Sequence, residues 1–327
     1  MPLRRLLALA LLAALGLAAL PAQAASPVQA PTIERGTLSK RPFVVMIDNH
    51  PQPYPQAGLD KAALVFEALA EYGITRFMAV YAPGVSPEAG QIGPVRSARI
   101  YFVQWAMGLH GVYAHAGGSP TGLALAESTD KIVNLDALQR GGGSFFTRSK
   151  RRSAPHNLYT TTATLQQAAD KRGAADFSDP EAGFLIKPDA APEQRPAAQS
   201  LSYYFLSRQE SAGWTYDPAS NGYLRLRRGK PAVDAVTGEQ LSARNVVVIE
   251  VRERRIPGDK KGRIEQDVVG AGPGRLFQDG RAIDITWRKD SAAAPLRFYA
   301  TSGDEVAFNA GQIWIAALPS LGNLSVK

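Results

Sequence analysis

The chain has 327 residues, no cysteine, and 37 lysines and arginines against 29 aspartates and glutamates, a formal net charge of +8. Without cysteine there is no disulfide, no thiolate zinc site, no cysteine nucleophile and no lipidation at a signal-peptide cysteine. A chain of this size buries about three quarters of its unfolded surface, so a hydrophobic core can hold it unaided, and its length suits two domains.

Arg4 and Arg5 form a short basic head, and the apolar run from Leu6 to Leu20 is shorter than a membrane span needs. Pro21 breaks that run, and Ala22-Gln23-Ala24 fits a signal-peptidase site. Residues 1–24 therefore read as a cleaved signal peptide. The mature protein is expected to be exported, periplasmic or extracellular, and associated with the cell envelope. Losing Arg4 and Arg5 takes the charge from +8 to 8 − 2 = +6. No lipid anchor is expected, and nucleic acid is not an expected partner outside the cytoplasm. The basic balance favours an anionic envelope glycopolymer or a lipid-linked phosphate, with peripheral membrane association.

Residues 25–40 form a polar lead-in. Pro42 to Ile47 reads as a short buried strand ending at Asp48-Asn-His-Pro51. The prolines between Gln52 and Gly58 lack amide donors and exclude regular structure there. Leu64 to Ala70 fits a helix with Glu67 and Glu71 on an exposed face, or a strand. The Tyr72-Gly73 turn before the strand-like run Ile74 to Tyr81 favours a hairpin. Pro83 to Gly93 is a loop, and Ile100 to Met107 is a helix or a strand. Gly111 to Gly118 is a strand running into a glycine turn. Pro120 to Ser128 suits a helix with Ser119 as its cap. Gly141 to Gly143 opens a basic loop, Arg148 to Arg152, and Thr162 to Arg172 is a helix. The alternation predicts an α/β domain over 41–190, a mixed sheet with helices.

Lys187 to Ser200 is rich in proline, alanine and charge, and is read as the domain boundary. Beyond it, Tyr203–Leu206, Tyr223–Arg227, Val246–Val251, Ile283–Trp287, Leu296–Tyr299 and Gln312–Ala316 are short strand-like runs between turn signals. They predict a smaller, mainly β domain over 201–327.

The chemistry concentrates in Gly93-Pro-Val-Arg-Ser-Ala-Arg99 and His115-Ala-Gly-Gly-Ser119. Arginine matches phosphate and carboxylate bidentately, and Arg96 and Arg99 flank a proline-fixed turn with Ser97 between them. Either arginine could instead pair with an internal carboxylate such as Glu67 or Glu71. The basic loop runs into Pro155-His156-Asn157, which points Arg152 inward. His115 and His156 stand at turns and could serve as acid/base groups. Asp48 closes the first strand, where it could orient an arginine or cap the turn. Asp48, His50, His115 and His156 lack metal-ligand spacing, so no metal and no cofactor are expected. Ser97 and Ser119 do not stand in a nucleophile elbow, and there is no phosphate-binding or dinucleotide glycine motif.

Several strings together resemble the YerB-like lipoprotein family of bacterial envelope proteins, a domain family without a settled biochemical function. They are Val45–Pro51, Gly73–Phe77, Ile92–Arg99, Tyr113–Ser119 and Ala154–Tyr159, then Asn245–Val248, Asp279-Gly280, Ile285–Trp287, Arg297–Tyr299 and Gly311–Ile315. The chain departs from lipoprotein members in having no signal-peptide cysteine. In the first domain, the order Asp48, Arg76, Arg96 and Tyr113 to Gly118 is similar to the LytR-CpsA-Psr transferases of cell-wall glycopolymers. The arginine-aspartate pair of those enzymes is absent, since Ser97 follows Arg96.

These readings converge on an envelope protein that binds a phosphate- or carboxylate-bearing ligand through Arg76, Arg96, Arg99, Arg152, Asn157, Ser97 and Ser119. His115, His156 and Asp48 are the candidate catalytic groups, and the sequence leaves enzyme and binder open. The alternatives are a noncatalytic scaffold that docks a partner, and a phosphotransferase or pyrophosphatase acting on polyprenyl-linked glycans.

Overall fold

The computed structural model describes residues 31–174 and 176–327. The proposed signal peptide lies outside the described residues. Strand β1 (Phe43–Asp48) is buried along its whole length, as a run of β-branched and aromatic residues buried on both faces should be. Strands β2 (Leu64–Glu71) and β3 (Ile74–Tyr81) pair antiparallel. Tyr72 and Gly73 both take positive φ, 47° and 81°, the two-residue turn whose twist suits a hairpin. The helical alternative for Leu64–Ala70 fails because Glu67 is buried.

Helix α1 (Ile100–Met107) packs its aromatic face on the sheet and touches α2 (Pro120–Ser128). Ser119 caps α2 as expected, its hydroxyl accepting from the Gly122 amide at 3.2 Å. Strands β4 (Val112–His115) and β5 (Val133–Asp136) run parallel to β1. Helix α3 (Thr162–Lys171) closes this half.

The second half contributes β6 (Ser200–Tyr203), β7 (Ala212–Asp217), β8 (Gly222–Arg227), β9 (Asn245–Glu250), β10 (Gly270–Gln278), β11 (Arg281–Lys289), β12 (Arg297–Ala300), β13 (Ile313–Leu318) and β14 (Leu324–Val326). The fold is therefore an α/β assembly with a mixed sheet and few helices, followed by a β-rich second half. Among the described residues no helix is long and apolar enough to cross a membrane.

One sequence reading needs adjustment, and two strands were not read from the sequence. The run expected as a strand over Tyr203–Leu206 leaves the sheet after Tyr203, and Leu206 is exposed. Strand β7 was not expected. Strand β10 begins Gly-Ala-Gly-Pro-Gly, a composition poor in strand formers, yet it pairs with β11 along its whole length. Close approach explains these glycines. A Cβ on Gly272 would lie 2.7 Å from the Trp287 ring nitrogen, and one on Gly274 would lie 2.9 Å from the Val248 carbonyl oxygen.

The compositional break at Lys187–Ser200 is not a break in the sheet. Among the described residues ten strands form one sheet in the order β12-β11-β10-β9-β13-β2-β3-β1-β4-β5. Five come from each side of that segment. The seam is β13, which runs parallel to β9 and to β2. One face of the sheet packs under α1 and α2. The other face packs against a smaller sheet containing β8, β7, β6 and β14, and both apolar layers draw on both halves of the chain.

Candidate functional site

β1 ends at Asp48, directly opposite Arg76 on β3. Where β1 and β4 diverge, the segment Gly93 to Arg99 fills the notch. The Asp48 amide donates to Pro94, Arg96 donates to Met46, Ala116 donates to Arg96, and Ala98 donates to Gly117. The two sequence motifs are thus zipped together by backbone. Gly93 is required there: its φ is 142°, and a Cβ would lie 2.8 Å from the Leu158 carbonyl oxygen. The contact of Val95 with Leu158, at 2.6 Å, anchors the loop that carries His156.

Asp48 is fully buried and is the hub. Its Oδ1 lies 3.3 Å from Arg76 Nη1 and accepts from the His50 amide at 3.0 Å. Its Oδ2 lies 3.0 Å from Arg96 Nε and 2.6 Å from His156 Nδ1. Burial alone would raise this carboxyl, but Arg76, Arg96, the His50 amide and His156 outweigh it and hold the group below its ordinary value. Arg76 also pairs with Glu71, as does Arg99. Burial pulls the Arg76 guanidinium down to about 10, against the opposing pull of Glu71. The His50 ring stacks on His156 at 5.0 Å. Burial comes first in lowering His50, with Asp48 opposing and His156 and Arg96 adding to it.

The cluster holds three guanidiniums, of Arg76, Arg96 and Arg99, against two carboxylates, of Asp48 and Glu71: 3 − 2 = one excess positive charge. That excess faces outward, because Arg76 and Arg99 are buried while the Arg96 side chain is 21% exposed. The Arg96 Nη atoms have no hydrogen-bond partner among the described residues. The Nε atoms of Arg76 and Arg99 and the Tyr113 hydroxyl are buried donors without a hydrogen-bond acceptor among the described residues.

The remaining expected site residues have other roles. His115 is fully buried; its Nδ1 donates to the Gly117 carbonyl at 2.9 Å and its Nε2 meets the Asn134 amide at 2.8 Å. It holds the glycine turn and shares no ion pair with Asp48. Ser119 is spent on capping α2. Arg152 does point inward, but it binds the Pro53 and Pro55 carbonyls. It ties the basic loop, with exposed Arg148, Lys150 and Arg151, to the proline loop beside Asp48. Asn157 accepts from Arg148 Nη1 at 2.7 Å and donates to the Ser149 carbonyl at 3.1 Å, which shapes the same loop. Ser97 is half-buried next to Arg96. Among the described residues no group of three or more histidine, aspartate or glutamate side chains is placed to hold a metal ion.

Of the two internal carboxylates offered as arginine partners, Glu71 pairs with Arg99, while Glu67 builds a second polar centre around Arg225, which the sequence reading did not name. On the opposite face of β2, Glu67 accepts from Arg225 Nη2 at 3.0 and 2.8 Å and from Tyr203 Oη and Trp314 Nε1 at 3.1 and 3.2 Å. Its only signal was one carboxylate inside an apolar run.

Residues 30–175 match the family described as "Protein of unknown function (DUF3048) N-terminal domain", and residues 201–315 match its C-terminal domain. A protein of Bacillus subtilis (strain 168) named "Putative lipoprotein YerB" is 31% identical over 305 residues, 92% of this chain and 88% of that one. The crystal structure of the YerB protein from Bacillus subtilis matches with a TM-score of 0.76 at 29% identity, covering 88% of this chain and 94% of that chain. The resemblance first carried by short strings thus extends over both halves, and the chain belongs to the YerB-like family of DUF3048 proteins.

Proposed function

We propose that this is an exported cell-envelope protein that binds an anionic, phosphate- or carboxylate-bearing ligand of the cell wall or of a lipid carrier at Arg96 and His156. The observation that carries this reading is the excess guanidinium of the Asp48 cluster, presented at the surface with Nη donors that have no partner among the described residues. A fork of arginine donors in a partly dry setting is the usual receptor for such anions. Arg76 and Arg99 act behind it. They hold Asp48 and Glu71 in place, and their positive charge reaches the ligand without contact. The exposed basic residues of the 148–152 loop extend the positive surface around the mouth. Envelope placement is supported by the lipoprotein name of the Bacillus relative and by the leader-like start of the sequence.

Calorimetric titration with inorganic pyrophosphate at low salt tests the site. The wild type binds; Arg96→Ala weakens binding roughly tenfold or more, and its melting temperature stays within a few degrees because that side chain is partly exposed. A folded Arg96→Ala protein that binds as well as wild type sinks the proposal. Vesicles containing an anionic polyprenyl lipid, compared with soluble anionic wall polymer, then separate the lipid-linked ligand from the free one.

One contact favours a second reading. The 2.6 Å Asp48–His156 pair fixes the imidazole by Nδ1 and leaves Nε2 without a partner among the described residues, as in an oriented acid/base histidine. In that reading Nε2 takes a proton from an attacking hydroxyl or water and returns it to the leaving oxygen of a phosphate ester or pyrophosphate held by Arg96. Phosphate release that His156→Ala abolishes while pyrophosphate binding persists would select it.

A further inference from the structure

On the face of the sheet away from α1, a cleft of about 190 Å³ opens between the β2–β3 hairpin and the smaller sheet. Its floor is the Glu67–Arg225 pair. Arg225 lies 4.1 Å from the Trp314 ring centroid and 5.1 Å from that of Trp214, and Glu67 accepts from Tyr203, Trp314 and Asn49 as well. The floor is therefore rigid, aromatic and electrically balanced. Phe77, Phe205 and Leu241 line the walls, and Leu206 stands at the exposed mouth.

Against this neutral lining one charge is unmatched. Arg227 lies two residues beyond Arg225 on β8, so it shares the same face of the strand. Its guanidinium sits 4.6 Å from the Tyr54 ring centroid and makes no ion pair among the described residues. Glu210, which also lines the cleft, is bound to Arg228 instead. Gln56 is buried and donates to Asn49 at 3.3 Å, while its side-chain oxygen accepts no hydrogen bond among the described residues. A half-buried arginine without a carboxylate, above aromatic walls, is the complement of a small molecule with one apolar ring face and one carboxylate. The volume is below the roughly 300 Å³ at which pockets take drug-sized ligands, which suits a single ring.

We propose that this cleft is a second binding site, for a ring-sized molecule bearing one carboxylate. The carboxylate is held by the Arg227 fork, and the ring lies between Phe77 and Phe205. Glu67 and Asp48 lie on opposite faces of the sheet, and the loop from Asn49 to Gln56, which lines this cleft, runs between the two sites.

Two carboxylates with different rings, phenylacetate and glucuronate, are titrated into the whole protein and followed by backbone amide NMR shifts. Binding of either one supports the site, and which one binds identifies an aromatic or a sugar ligand. The expected shifts fall on Phe77, Phe205 and the β8 amides. Phenylacetamide and glucose, the uncharged counterparts, bind roughly tenfold more weakly or worse, as does either carboxylate to Arg227→Gln. That variant keeps its melting temperature because Arg227 makes no ion pair among the described residues. Leu206→Trp, at an exposed position, closes the mouth and also reduces binding. Arg96→Ala leaves it unchanged, which separates this site from the Asp48 cluster. Failure of both carboxylates to bind at millimolar concentration overturns the proposal, as does equal binding by the uncharged analogues or by Arg227→Gln.

Discussion

Single charges in this protein are placed where their neighbours fix their state, and the sequence shows only some of them. Asp48, Arg96 and His156 stand out because each sits at the end of a strand or in a proline or glycine turn. Glu67 and Arg225 do not, because each lies inside an apolar run and its partner is 158 positions away. The same holds for Lys289, a buried lysine whose amine donates to the backbone carbonyl oxygens of Ala292 and Ala294 and pairs with no carboxylate among the described residues. Burial pulls its ammonium down from 10.5 to about 7. The sign follows from linkage: between about 7 and 10.5 the unfolded chain binds this proton and the folded one does not, so stability rises with pH across that window. A gap of this size corresponds to at most about 5 kcal/mol. Lys289→Met removes that rise. Urea unfolding from pH 7 to pH 10 should show an upward slope for wild type that the variant lacks, and parallel profiles would show that the lysine is charged in the fold.

Elements were legible where local chemistry decides them. The Tyr72-Gly73 turn, the Ser119-Pro120 start of α2 and the alternation of β11 each declare themselves within a few residues. Ser119 also shows how one residue can be read correctly as a cap and then overread as ligand-binding. Its hydroxyl is engaged by the Gly122 amide, and the residue is buried. Ser119→Ala should cost about 1 kcal/mol of stability, the usual value of a lost cap, and leave pyrophosphate binding at Arg96 unchanged. Thermal unfolding paired with the same titration tests both halves, and lost binding at full stability would restore Ser119 to the site. Strand β10 shows the opposite case. Its glycines serve the Trp287 ring and the Val248 carbonyl, contacts made by strands on either side. No local signal carries that information, so the strand is not legible until its neighbours are in place.

At the scale of the molecule, composition and connectivity point in different directions. The proline- and charge-rich segment around Lys187–Ser200 has the character of a linker, and the two family matches fall on either side of it. Yet β13, from the end of the chain, lies in register between β9 and β2, pairing Ile313 with Leu64 and Ala317 with Ala68. Trp314 on that strand packs edge-on against Phe77 and Trp214, and its ring nitrogen donates to Glu67. Without the second half of the chain, β2 loses β13 and becomes an open hydrophobic edge, and Glu67 is left in an apolar layer without Trp314 or Arg225. An unpartnered buried charge of this kind costs about 3–5 kcal/mol, a large share of the roughly 5–15 kcal/mol that holds a domain together. The halves should therefore not be independent folding units. A fragment of residues 31–190 made alone should be unfolded or aggregated, while cleavage within 188–199 of the intact protein should leave a nicked complex that stays together on gel filtration. Calorimetry of the uncut protein should give one transition. A soluble 31–190 fragment with a cooperative transition of its own would mean that the shared sheet forms by docking two finished domains.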